Sequence, residues 1–218
     1  ETGQPISADV LRVLEVAKSY PDCRIRLDAN GNFTPEQALE LLAKIPLDRL
    51  DYFEQPCATL DELVELRKTI ALLKLGVLIA ADESIRKAED PLEVARRNAA
   101  DIVMLKVQPL GGIERCLEIA KQTGIPAVVS SALETSIGLA QGAYLAAALP
   151  ELEFDCGLGT LSLMESDISA EPLTPQAGRI TPREVSPDQS LLEKYQASPE
   201  RTRWWLERLE RCFALLEA

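Results

Sequence analysis

The chain has 218 residues, with 46% hydrophobic and 27% charged residues and a formal net charge of −12, enough material for one full core. That acidity, with no basic cluster, argues against a nucleic-acid partner, and the longest apolar stretch, residues 138–149, is interrupted by Gln141, Gly142 and Tyr144 and is too short for a membrane span. Histidine is absent, and the five scattered cysteines form no C-x-x-C pair, which disfavours zinc and a disulfide framework, fits a reducing cytoplasm, and leaves acid–base chemistry to Lys, Asp, Glu, Tyr or Cys.

The first residues read as a loop leading into a helix over 7–19, with Val10, Leu11, Leu14 and Ala17 at helical spacing and Ser7 as its cap. A strand-like run RIRLD follows and ends on Asp28. Thr34-Pro35 then supplies a cap and a first-turn proline for a helix that places Ala38, Leu41 and Leu42 on one face. LDYFE ends on Glu54 and precedes a helix over 59–70. GVLIAAD ends on Asp82, and Asp90-Pro91 repeats the cap-then-proline pattern before Leu92, Val94 and Ala95. DIVMLK ends on Lys106, and a helix over 111–122 is closed by Gly124 and Pro126. AVVSS (127–131) leads to a small-residue helix over 136–149, and a last short strand is expected at 153–156.

The alternation predicts an α/β fold of about six βα units over residues 1–164. Charged residues at the C-terminal ends of several strands favour a (β/α) barrel over a doubly wound sheet, which offers one switch point and usually a glycine-rich first turn. Residues 165–218 read as an irregular return segment followed by a helix over 199–216, with Trp204, Trp205, Leu209 and Phe213 available to dock.

Asp28, Glu54, Asp82 and Lys106 are spaced 26, 28 and 24 residues apart, about one strand-plus-helix unit each time. Equivalent positions on neighbouring parallel strands open on one mouth, so three carboxylates and an ammonium are expected to converge. Taken singly, Asp28 in D-A-N-G could form a turn and Asp82 could cap a helix. Lys106 is harder to explain that way, because lysine is rarely set in an apolar strand without a partner. Oxygen-only ligands suit Mg²⁺. Such an ion stabilises negative charge developing on a substrate carboxylate, while a lysine takes or returns the α-proton.

At LDANG, FEQP, ADES and LKVQPLGG the chain resembles the enolase superfamily. The resemblance implies a modified TIM barrel with Asp28, Glu54 and Asp82 on Mg²⁺, Lys106 as an active-site lysine, and Asn30, Ser130 and Gly157 lining the site of a small carboxylate substrate. With no histidine for a later strand, the chain looks like the two-lysine branch. SSALETSIGLA, CGLGT and PERTRWWLERLERC resemble the members that dehydrate a succinyl-hydroxycyclohexadiene carboxylate on the route to menaquinone. Racemisation of N-succinylamino acids or epimerisation of dipeptides is the alternative within the superfamily, and a non-catalytic binding module the alternative outside it. Ser130, Ser131 and Thr135 could instead cap a helix, and Glu134 could be a structural partner of Lys106. The family's K-x-K motif does not occur before Asp28. The expectation is therefore a barrel portion lacking its capping domain and first strands, catalytically incomplete by itself.

Overall fold

In the computed structural model, which describes residues 6–215, the chain alternates helices and parallel strands along its first two thirds. The elements in order are α1 (Ile6–Ser19), β1 (Ile25–Asp28), α2 (Pro35–Leu42), β2 (Leu50–Glu54), α3 (Leu60–Leu72), β3 (Ile79–Ala81), α4 (Glu83–Arg86), α5 (Glu93–Arg96), β4 (Ile102–Leu105), α6 (Val107–Leu110), α7 (Ile113–Thr123), β5 (Ala127–Val129), α8 (Ser136–Ala148), α9 (Gln189–Lys194) and α10 (Pro199–Ala214). The loop expected at residues 1–5 lies outside the described residues, as does the last residue of the helix expected over 199–216. Ser7 falls inside α1 and does not cap it.

The five strands pair in sequence order, β1-β2-β3-β4-β5, all parallel. A sheet that adds each strand on the same side has no switch point. It curls as part of a barrel, as the α/β-barrel reading expected.

Period-two alternation sorts the strand residues onto two faces. Phe53, Ile79, Ala81, Val103, Leu105, Ala127 and Val129 share one cluster with buried helix residues such as Leu42, Leu63, Leu66 and Ile119. Tyr52, Ala80, Ile102, Met104 and Val128 form a second cluster on the concave face, with Phe154 against it. Asp28, Glu54, Asp82, Lys106 and Ser130 all share the parity of that concave set. Their side chains therefore leave the sheet on the inner side, at the strands' C-terminal ends.

The helices start where the sequence marks them. Thr34 accepts from Gln37 N while Gln37 returns a bond to Thr34 N, and Thr59 and Glu62 repeat the arrangement. Each such cap contributes about 1 kcal/mol. Asp90 accepts from Leu92 N at 3.0 Å, but its helix is the single turn α5.

Two further expectations fail. Residues 153–156 form no strand; one parallel bridge, Ser130 with Gly157, extends the sheet past β5. Gly157 N donates to Val129 O at 2.8 Å, but the four residues before it gain no ladder and stay half-buried or exposed. Nor does α10 dock: Trp204, Trp205, Leu209 and Phe213 are all exposed, and among the described residues the helix buries none. The two tryptophans instead pack edge to face on each other at 4.7 Å, with Arg208 over both rings. That local pairing satisfies the rings only in part.

The return segment reaches α8. Thr135, at the head of that helix, makes no capping bond of its own; Asp167 accepts from Ser136 N at 3.0 Å and also from Ser136 Oγ. Ser136 Oγ in turn accepts from Leu173 N at 2.7 Å, and Leu173 packs with Leu139, Ala140 and Leu161. On the same helix Gly142 lies against Leu158, where a Cβ would stand 2.7 Å from Leu158 Cδ2, which explains the glycine at this position.

Candidate metal and lysine site

β1 ends on Asp28 and β2 on Glu54, which are register partners on neighbouring strands. Asp82 follows β3 directly and Lys106 follows β4. The structure thus brings all four sequence-predicted groups to one mouth.

Asp28 also forms the turn its D-A-N-G context suggests: Asn30 N donates to Oδ1 at 2.8 Å and Asn30 Nδ2 to Oδ2 at 3.0 Å. Asn30 adopts a left-handed φ of 48°, and Gly31 follows at 75°, where a Cβ would stand 3.2 Å from Ala58 Cα. The turn brings Asn30 back over the carboxylate it brackets. Glycine is required next because the chain from β2 passes so close.

Asp82 is fully buried and sits between two cations. Lys106 Nζ donates to Oδ2 at 2.6 Å and Arg86 Nε to Oδ1 at 3.1 Å. Arg86 also donates to Glu83 Oε1 at 2.7 Å, whereas the buried Glu83 Oε2 has no hydrogen-bond partner. Asp82 opens α4 without capping it through its side chain, so the capping alternative does not hold.

The carboxylates crowd one another. Burial, then the charges of Asp28 and Asp82, push Glu54 up to about 8, with Lys106 opposing. Asp28 is likewise raised, first by burial, with the Asn30 hydrogen bond working against the shift and Glu83 and Asp82 adding to it. Acids held this close lack sufficient positive charge in their own surroundings.

Gln55 is the residue that sequence reasoning passed over. It is fully buried with a left-handed φ of 34°. Its Oε1 accepts from Asp82 N at 3.0 Å and Ser84 N at 3.1 Å, while Nε2 donates to Cys57 O at 2.9 Å and Ser84 Oγ at 2.7 Å. All the amide's bonds go to the two segments that carry Glu54 and Asp82. The available signal was a glutamine between an apolar strand and a proline.

Across the mouth, Ser130 and Gly157 touch. Ser130 Oγ donates to Gly157 O at 3.4 Å, and a Cβ on Gly157 would stand 2.9 Å from Ser130 Oγ. Ser131 Oγ donates to the same carbonyl at 3.0 Å and lies 2.9 Å from Thr160 Oγ1. Neither serine caps α8; both tie β5 to the segment beyond it.

Three carboxylates with no nitrogen or sulfur donor suit a hard divalent cation, and the raised Glu54 together with the unpartnered Glu83 oxygen marks a need for positive charge. Among the described residues no three such side chains are gathered as a metal-holding group, and Asp82 pairs with Lys106 and Arg86. The donor chemistry fits the ion.

Residues 1–187 match the family model described as enolase C-terminal domain-like. The o-succinylbenzoate synthases of Mycobacterium ulcerans and Mycobacterium marinum are each 48% identical over 217 residues, 99% of this chain and 64% of theirs. The chain therefore spans under two thirds of the length of those relatives. Among solved structures, the muconate lactonizing enzyme from Pseudomonas putida superposes with a TM-score of 0.77 at 26% identity, over 89% of this chain and 56% of that one. Muconate cycloisomerase from Pseudomonas fluorescens gives 0.79 at 25% identity, over 91% and 56%.

Proposed function

Because the chain belongs to the enolase C-terminal domain-like family of the enolase superfamily, we propose that the protein carrying it is a Mg²⁺-dependent o-succinylbenzoate synthase. The reaction would be syn-dehydration of 2-succinyl-6-hydroxy-2,4-cyclohexadiene-1-carboxylate, a lyase step towards menaquinone in the cytoplasm. The observation that carries the chemistry is the pairing of Lys106 with Asp82 at a mouth shared with Asp28 and Glu54. The o-succinylbenzoate synthase relatives support the choice of substrate over amino-acid racemisation.

In this reading Asp28, Glu54 and Asp82 hold Mg²⁺, which when bound supplies a Lewis acid for the substrate carboxylate. Asn30 brackets the Asp28 carboxylate, and Gln55 fixes the backbone of Asp82. Lys106, with its side chain 14% exposed, places a positive charge where the enediolate's negative charge develops. A charge held in place before reaction is worth more than one that must be reoriented from water. Ser130 and Gly157 form the facing wall, where the bare glycine lets Ser130 pack directly against the backbone. The base that removes the proton would, by the family resemblance, be the K-x-K lysine, a motif that does not occur before Asp28 in this sequence.

The test is to follow loss of the diene absorbance with the full-length protein, with Mg²⁺ and then with excess chelator. Metal-dependent conversion to o-succinylbenzoate supports the reading. Racemisation of N-succinylamino acids with no dehydration would replace it by the alternative.

A further inference from the structure

Arg26 is an inward-facing charge with no part in holding the cation. It precedes Asp28 by two residues on β1, as Tyr52 precedes Glu54 on β2, and Arg26 and Tyr52 are register partners. Both therefore share the concave parity, one layer below the carboxylates. Asp51 accepts from Arg26 Nε at 2.8 Å, and the guanidinium carbon stands 4.9 Å from the centre of the Tyr52 ring. An ion pair at its edge and a ring at its face hold the planar group in place.

From there Arg26 Nη1 donates to Asp155 O at 2.7 Å, across 129 residues of chain. Beside that contact Phe154 meets the buried Tyr52 edge to face, with centroids 5.9 Å apart. Among the described residues, 153–156 make no backbone–backbone hydrogen bond. The next tie is at Gly157, which donates to Val129 O at 2.8 Å and accepts from Ser131 N at 3.1 Å. This short segment therefore crosses the concavity, from β1 and β2 at Phe154 and Asp155 to β5 at Gly157. Gly157 in turn lies against Ser130, on the far side of the mouth from Asp28 and Glu54.

We propose that Arg26 is a positioning residue for the substrate: its reach from β1 to Asp155 O sets where Gly157 stands relative to Asp28 and Glu54, and with it the width of the mouth that a ring-bearing carboxylate must fit. Arg26 makes no hydrogen bond or ion pair with Asp28, Glu54 or Asp82 among the described residues, so its effect runs through the 154–157 segment. The substrate in this proposal rests on the o-succinylbenzoate synthase reading; the tie itself rests on geometry alone.

The test compares the full-length parent with Arg26→Met, Arg26→Lys and Phe154→Leu, each verified as folded by a thermal melt. It reads amide hydrogen exchange at Gly157, calorimetric titration of Mg²⁺, and KM and kcat for the diene carboxylate. Loss of one charge-assisted hydrogen bond in Arg26→Met should speed Gly157 exchange about tenfold and raise KM about tenfold. Mg²⁺ affinity and kcat should stay within about twofold. A lysine ammonium lacks the planar fork that serves Asp51 and Asp155 together, so Arg26→Lys should behave like Arg26→Met. Phe154→Leu leaves every charge in place and should move exchange and KM in the same direction, by about threefold. Full rescue by lysine would show that charge alone acts, and would overturn the proposal. A parallel fall in Mg²⁺ affinity would overturn it too, by showing that Arg26 holds β1, as would unchanged exchange and KM. If the parent does not convert the diene carboxylate, the proposed function fails and the substrate role with it, whereas Gly157 exchange still decides the tie.

Discussion

Gln55 holds Asp82 from the neighbouring strand: its side-chain oxygen accepts the backbone N–H of Asp82 at 3.0 Å, and that of Ser84 at 3.1 Å. One amide thus fixes the exit of β3 and the start of α4, and with them the direction in which the Asp82 carboxylate leaves the sheet. Gln55→Leu keeps the volume but leaves those two N–H groups buried and unpaired. Each such group costs about 1–3 kcal/mol, so urea denaturation should show a loss of about 2–6 kcal/mol. Mg²⁺ affinity should fall with it. A variant as stable as the parent would mean that water or the backbone replaces the amide.

Asp82 carries two cations with no exposed surface of its own. Asp82→Asn would leave Arg86 and Lys106 facing a neutral group. Removing one partner from a buried ion pair typically costs about 3–5 kcal/mol. Arg86 retains Glu83 and Lys106 keeps some access to solvent, so a loss near the lower end is expected, together with loss of Mg²⁺-dependent turnover. Near-parental turnover without added metal would remove Asp82 from the ligand set.

Burial, then crowding by neighbouring acids, gives the metal-free site a pH dependence. Glu54 is raised from 4.5 to about 8 in the folded chain, so between those values the folded state holds a proton that the unfolded state has released. Stability must then fall as pH rises through this window: the penalty is absent below about 4.5 and complete above about 8. Asp28, also raised, adds in the same direction. Thermal midpoints in chelator should therefore drop from pH 5 towards 8, and Glu54→Gln should flatten the slope. An equally steep slope in the variant would assign it to other groups.

Asp167 caps α8 from outside the helix. Losing such a cap costs about 1–2 kcal/mol, so Asp167→Ala should lower stability by that amount. It should also speed hydrogen exchange at Ser136 and Leu173, whose amides depend on this network. Unchanged exchange at both positions would show that apolar packing of Leu173 alone holds the return segment.

The strands and the four charged groups were legible because both rest on short-range patterns. A buried parallel strand announces itself as an apolar run, and a charge that ends such a run stands out. The common parity of Asp28, Glu54, Asp82 and Lys106 follows from that register and needed no knowledge of packing. The single turns α4 and α6 were not legible, since four residues carry no helical period. Residues 153–156 read as a strand from their composition, but pairing is a property of the neighbour, and only Gly157 finds one. The role of Gln55 depends on a contact 27 residues away, and the exposure of α10 on what surrounds it, neither of which local sequence encodes. Asp167 was hidden for the same reason: it caps a helix that begins 31 residues earlier.

The central claim is that Asp28, Glu54 and Asp82 form one divalent-cation site at the mouth they share with Lys106. Its most direct test is Mg²⁺ titration by calorimetry of the full-length protein beside Asp28→Asn, Glu54→Gln and Asp82→Asn, each verified as folded. The expected result is one Mg²⁺ per chain in the parent and at least about a tenfold loss of affinity in every variant, since each removes a charged oxygen ligand. Parental affinity retained in all three variants would contradict the claim.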